Sequence, residues 1–279
     1  MMSYSNLLLE KEEIIKNMAL LTVGDHAVLF YEKEKDIIAA AVSFIEQTLR
    51  EGQKCLYIDE KENQQIVADK FRSQFNGLDS YLKEGQLQFL TKEEAYGKAS
   101  EFKAADMINL IKENVKKAKA ENYQGLSITG ELKGVVDFKG GKKEIIKYEW
   151  QLNDQIFSQY PVTALCRYNL NKFDNQIIKA AVELHDYIIW QGELHQNPYY
   201  IDPEGYKINK IEEYEIKSWL KNINKYQSKE DMFKRAINQS QEKYFRLYNN
   251  APIGIIKTTS EGRIIHINQR MAEIAGYND

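Results

Sequence analysis

A chain of 279 residues with 43% hydrophobic and 28% charged side chains can bury a domain-sized core, which excludes global disorder. The net charge of −3, with both signs interspersed, leaves no broad basic surface, so neither nucleic acid nor an anionic membrane is an expected partner. The two cysteines, Cys55 and Cys166, each lie in an apolar run, which excludes a disulfide framework or a paired-cysteine zinc motif and points to a reducing compartment.

In chain order, Glu10 to Leu21 reads as a short amphipathic helix with Ile14, Ile15, Met18 and Leu21 on one face. The polar, acidic start does not resemble a signal peptide. No apolar run approaches the roughly 20 residues that cross a bilayer, so a cytoplasmic location is expected. His26 to Tyr31 has strand length, and from Asp36 to Glu51 Ile37, Ala40, Ala41, Phe44, Ile45 and Leu49 recur at helical spacing before Gly52. Strands are then expected at Lys54–Ile58, Gln86–Leu90, Gly125–Thr129, Val162–Tyr168 and Tyr187–Trp190. Helices are expected at Asn63–Phe75, Ala104–Glu121, Ile145–Phe157 and Asn171–Glu183. Strands alternating with long helices imply a mostly parallel sheet with helices on both faces, a three-layer α/β domain over residues 1–203.

Two prolines and a glycine between Asn197 and Gly205 close that domain. A helical linker, 204–243, follows. Its seam takes Ile216, Trp219, Ile223, Tyr226, Glu230, Phe233, Ile237, Ser240, Tyr244 and Leu247 at spacings of three and four, as in a coiled coil; an amphipathic helix lying on its own domain is the other reading. Ser228 to Asp231 has the form of a capping box, where the helix would restart. In 244–279, Ile253–Thr258 and Arg263–Asn268 flank a glycine turn as a hairpin, and Gln269–Ala275 is helical. A hairpin and one helix are marginal alone, so the chain is expected to stop inside a domain.

The segment His26 to Asp59 resembles the opening of KaiC-type RecA-like ATPases. There, the loop after the first strand cradles phosphate with glycine backbone, lysine and a hydroxyl. Here that loop, Tyr31-Glu-Lys-Glu-Lys-Asp36, has no glycine and carries three carboxylates, so ordinary ATP binding is not expected. Asp25–Tyr31, Leu49–Ile58, Gly130-Glu131, Tyr148-Glu149, Leu165–Tyr168, His185 and Gln196–Tyr200 together resemble the MEDS (methanogen/methylotroph, DcmR sensory) domain. That family is regarded as a RecA-like derivative. The resemblance covers about residues 20–200 and implies a non-catalytic sensor of small hydrocarbon derivatives, such as methylated or chlorinated one-carbon compounds. The sequence departs from the family's pattern at Ser127, near Gly134 and at Asp186. Tyr244–Tyr277 resembles the start of a PAS domain, and an input domain, helix and PAS module in series imply a histidine-kinase-type output outside this chain.

The expected ligand-binding residues are His26, Tyr31, Glu131, Tyr148, Glu149, Cys166, Tyr168 and His185, around a cleft at the C-terminal strand edge where open α/β sheets bind ligands. Four of them have a bland alternative: His26 can bond backbone, Glu149 can make a buried hydrogen bond, His185 can complement a helix end, and Cys166 can be a small core residue. His26, Cys166, His185 and a glutamate are types that suit zinc or iron, but their separations offer no local spacing, so no metal ligands are assigned and no cofactor is named. The expected partners are a small molecule, a second copy through residues 216–247, and the downstream PAS and kinase regions. The rival readings are a nucleotide-binding module or ATPase with an unusual loop, a protein-interaction module, and a metal or redox sensor.

Overall fold

Every residue of His26–Tyr31 (β1) and of Lys54–Ile58 (β2) is buried, which only strands covered on both faces can achieve. In the computed structural model, which describes residues 21–98, 101–203, 215–225, 248–249, 251–260 and 262–276, these strands lie inside a seven-stranded sheet. Its order is β3-β2-β4-β5-β1-β6-β7, with Leu87–Leu90 as β3, Leu126–Gly130 as β4, Val162–Asn169 as β5, Tyr187–Trp190 as β6 and Glu193–Gln196 as β7. All neighbours are parallel except the β6–β7 hairpin, so the expected α/β class with a mostly parallel sheet is what the chain adopts.

Side-chain alternation divides the sheet. One face carries Val28, Phe30, Leu56, Ile128, Val162 and Tyr168, covered by Ala104–Ala120 (α5), Gly141–Leu152 (α6) and Asn175–Leu184 (α7). The other carries Ala27, Leu29, Tyr57 and Leu165, covered by Glu34–Arg50 (α1) and Lys61–Gln74 (α2). Two short helices, Leu78–Lys83 (α3) and Lys92–Tyr96 (α4), were not expected, nor was β7. α6 also ends earlier than its apolar spacing implies, and Asn153–Phe157 continues as a π-helical turn. No helix among the described residues is long and apolar enough to cross a membrane.

The helix expected at Glu10 falls almost wholly outside the described residues, as do seam positions 226–247. Within 215–225 the chain is helical, and of its seam residues Ile216 and Ile223 are exposed while Trp219 is half-buried. Its indole N–H donates to the Tyr199 carbonyl at 2.9 Å and its ring meets Tyr199 edge-on.

Residues Ile223–Asp279 belong to a second compact unit. There Ile256–Thr258 (β8) and Ile264–Ile267 (β9) form the expected hairpin, followed by Gln269–Ile274 (α8). Asn268 is wholly buried and ties these pieces together. Its Oδ1 accepts from the N–H groups of Ile255 and Met271, and its amide donates to the Tyr248 and Ile253 carbonyls. Loss of such a cap costs about 1–2 kcal/mol, and the Tyr248 and Ile253 carbonyls would also lose this donor. Asn268→Ala is therefore expected to remove hydrogen-exchange protection from 255–258 and 264–271, while leaving the protection of β1–β5 unchanged.

Candidate functional site

Period-two alternation sorts the polar side chains of the central strands into two assemblies. On the α1/α2 face, at the C-terminal strand ends, the Tyr31 hydroxyl donates to Glu131 at 2.5 Å. Arg167, whose side chain is fully buried, pairs with Asp59 at 2.7 Å and donates to the Ile58 carbonyl at 2.6 Å and to the Tyr57 hydroxyl at 3.1 Å. Lys92, at the start of α4, lies 3.5 Å from Glu131, 3.4 Å from Glu60 and 4.0 Å from Asp59. These side chains form one connected network of hydrogen bonds and ion pairs at the C-terminal ends of β1, β2 and β4. The loop after β1 runs straight into α1, whose first turn carries Glu34 and Asp36.

On the opposite face, His26 opens β1 and Cys166 lies mid-β5, in a register that pairs His26 with Ala164 and Val28 with Cys166. The polypeptide separation of 140 residues closes to 3.4 Å between Cys166 Sγ and His26 Nε2. From α6, Glu149 brings Oε2 to 3.4 Å from His26 Nε2, 3.6 Å from His185 Nε2 and 3.7 Å from Cys166 Sγ. The Tyr168 hydroxyl donates to the other carboxylate oxygen of Glu149. His185 caps the C-terminus of α7, its Nδ1 2.6 Å from the Ala181 carbonyl, and its ring stands 3.8 Å from that of His26.

The π-helical turn supplies the remaining support. Asn153 Oδ1 lies 2.9 Å from His26 Nδ1, while its amide donates to the Leu184 carbonyl at 2.6 Å. Phe157 stacks on the His26 ring at 4.5 Å. A π turn is uncommon in a helix and recurs at functional sites because it turns a side chain away from the regular 3.6-residue repeat.

Burial governs the protonation of this cluster. It pushes His185 down to about 3, with His26 adding to the effect, so His185 is neutral at physiological pH. It pushes the Cys166 thiol well up, and the Glu149 carboxylate beside it works in the same direction. For Glu149, burial works upward, but the two histidines and the Tyr168 hydroxyl prevail and hold the carboxyl below its usual value.

Cys166 and Glu149 also border a cavity under the sheet, further lined by Tyr96, Tyr148, Tyr168 and apolar residues such as Ile111 and Leu152. About 20 Å³ is open to the centre of a water-sized sphere, and a water needs roughly 10–15 Å³ by that measure, so there is room for a molecule of very few heavy atoms. Burial also raises the Tyr148 and Tyr168 hydroxyls far above their ordinary value, which keeps them protonated donors.

Of the eight residues expected to bind ligand, His26, Glu149, Cys166, Tyr168 and His185 meet in one cluster, and Tyr148 lies along the adjoining cavity. Tyr31 and Glu131 do not join them: they bond each other on the opposite face. The cavity lies beneath the middle of β4 and β5 and not in the expected cleft at the strand edge. Asn153, Phe157 and Tyr96 were not foreseen. Asn153 was detectable as a polar, poor helix former in an otherwise apolar helical register; the other two carry no such mark.

The transcriptional repressor DcmR of Methylorubrum extorquens (strain DSM 6343 / CIP 106787 / DM4) is 21% identical over 184 residues, a match that covers 63% of this chain and 66% of that protein. Among solved structures, the KaiC-like protein PH0186 from Pyrococcus horikoshii OT3 aligns with a TM-score of 0.41 and 14% identity, over 60% of this chain and 71% of that one. Residues 25–186, more than half the length and inclusive of both polar assemblies, match the family described as MEDS, the methanogen/methylotroph, DcmR sensory domain, and the chain belongs to that family.

Proposed function

We propose that the chain is the non-catalytic, cytoplasmic input portion of a signal-transduction protein, in which a small, largely apolar ligand occupies the cavity beside Cys166, Glu149, Tyr148 and Tyr168. The observation that carries this reading is the cavity itself. It is apolar along α5, α6 and β5, bears a few tyrosine hydroxyls, and touches the polar cluster at one wall, the arrangement by which small ligands are oriented in apolar pockets. Its size favours one-carbon compounds.

Occupancy changes the signal only if two states of the domain bind the ligand with different affinity. A route outward exists in the contacts. His185 terminates α7, and on the same helix Lys179 reaches Glu215 of the following helix at 3.2 Å. That helix is also held by Asn222, which donates to the Pro198 and Tyr200 carbonyls at 3.3 and 2.9 Å. In this reading the rest of the signal path is self-association through 216–247, a PAS module begun by residues 244–279, and a histidine-kinase-type output.

Thermal denaturation with dichloromethane, methanol and methylamine as probes tests this. A ligand at about 100 times its Kd adds about 2.7 kcal/mol, or about 5–10 °C for a domain of this size. Ala164 lines the cavity, so Ala164→Ile is expected to fold with an unchanged circular dichroism spectrum and to lose the shift. A shift with magnesium ATP and none with the small probes would sink the sensor reading in favour of nucleotide binding.

A further inference from the structure

We propose that His26, Glu149, Cys166 and His185 form a closed four-coordinate site for a divalent first-row transition ion, zinc foremost, built into the wall of the cavity. The inference is independent of which ligand the cavity takes. Its first support is distance. An ion with bonds of about 2.0–2.3 Å in tetrahedral geometry holds its ligand atoms about 3.3–3.7 Å apart. Four of the six separations, Cys166 Sγ to His26 Nε2, Glu149 Oε2 to His26 Nε2, Glu149 Oε2 to His185 Nε2 and Glu149 Oε2 to Cys166 Sγ, are 3.4, 3.4, 3.6 and 3.7 Å. All four donor atoms lie within 4.8 Å of one another.

The second support is the direction of the lone pairs. The Ala181 carbonyl beside His185 Nδ1 can only accept, so Nδ1 carries the proton and Nε2 presents a bare lone pair. Asn153 is turned by its bond to the Leu184 carbonyl so that its Oδ1, also an acceptor, faces His26 Nδ1. His26 Nε2 is thereby turned toward the centre as well. Tyr168 takes one oxygen of Glu149 and leaves Oε2 pointing inward. The buried His185 Nε2 has no hydrogen-bond partner.

Two imidazole nitrogens, a carboxylate oxygen and a sulfur thus converge with their electron pairs directed at one point. One shared proton can relieve one of these pairs, whereas a cation relieves all of them. With the Cys166 proton displaced on binding, thiolate and carboxylate balance a dication, and the buried site becomes neutral, which burial demands. Histidines whose second nitrogen bonds a carbonyl or amide oxygen are also the usual outer support of such a centre. Four protein ligands leave no open position, as in structural zinc sites. The ion's role is to fix Cys166 and Glu149 at the cavity wall.

The full chain, stripped with a chelator and titrated with zinc ion alone, is expected to bind one equivalent. Cobalt(II) in its place is expected to show tetrahedral absorption with a thiolate charge-transfer band, which Cys166→Ser removes. Tyr168→Phe keeps the stoichiometry but weakens zinc about 10–100-fold, the scale of outer-support losses. Failure to bind one equivalent, or a cobalt spectrum unaltered in Cys166→Ser, overturns the site. Should Cys166→Ser not fold, Tyr168→Phe decides, and unchanged affinity there is likewise a refutation.

Discussion

Replacing Arg167 with methionine is expected to lower stability by about 3–5 kcal/mol, the range found when one partner of a buried ion pair is removed. Arg167 is fully enclosed, stacks on Tyr57 at 4.8 Å, and is the close counter-charge of Asp59 at 2.7 Å. Asn63, the Glu60 N–H and the Tyr57 hydroxyl also bond Asp59, but none neutralises it, and Lys92 stands off at 4.0 Å. Without the guanidinium, a nearly inaccessible carboxylate keeps its desolvation penalty and loses its main compensation.

The double variant Asp59→Asn, Arg167→Met removes both charges and is expected to recover more than half of the loss, since buried pairs replaced together are often near neutral. Urea midpoints of the two singles and the double close the cycle; equal losses in single and double would show that packing, not charge, is what Arg167 supplies.

The pH dependence has a definite sign. Burial works to raise the Asp59 carboxyl, but Arg167 and the hydrogen bonds hold it below its ordinary value. Its contribution in the native protein is therefore present above about pH 4, the unfolded carboxylate value, and is lost as pH falls through the lower folded value. In Arg167→Met the strongest downward influence is gone while burial and the bonds from Asn63 and the Glu60 N–H remain, so the carboxyl rises relative to the parent and acid discharges it earlier. The gap between variant and parent narrows on acidification.

Strands announced themselves through contiguous apolar, β-branched runs: the bounds of β1, β2 and β6 match the expected ones residue for residue. β7 was invisible because Glu-Leu-His-Gln is polar and mostly exposed at a sheet edge, and its two-residue turn uses Gln191-Gly192 in place of the stronger Asn-Gly form. α3 and α4 are too short to show a period, although Thr91 and Glu94 spell the capping box that starts α4.

Part of the site's division was legible and was missed. His26 and Tyr31 are an odd number of residues apart on one strand, which places them on opposite faces, so they could not serve one cluster. What alternation cannot supply is register. That His26 falls beside Cys166, and that α6 delivers Glu149 over both, depends on crossover lengths and helix packing far from either residue. Asn153 needed one thing more, a π turn that no propensity scale marks.

Gly140 and Gly141 look interchangeable in the sequence, yet substitution of Gly141 is expected to cost about twice as much or more. Gly140 has φ +88 and open space around it, so Gly140→Ala meets only the left-handed penalty of about 1–2 kcal/mol. Gly141, the first residue of α6, has ordinary backbone, but a methyl group there would fall within bonding range of the Val135 carbonyl oxygen. That obstacle is main chain and cannot rotate away. Either the turn Val135–Asp137 or α6 must move, at about 3 kcal/mol or more, the upper end for overpacking. Because α6 carries Tyr148 and Glu149, the displacement also reaches the buried cluster eight residues on. Urea denaturation should therefore rank Gly141→Ala well below Gly140→Ala. Only the former is expected to weaken zinc binding, because only it shifts the helix that aims the carboxylate. An equal, small cost for both would mean that the β4–α6 connection is loose enough to absorb a methyl group, and that the placement of Glu149 is held by the cluster itself and not by the start of its helix.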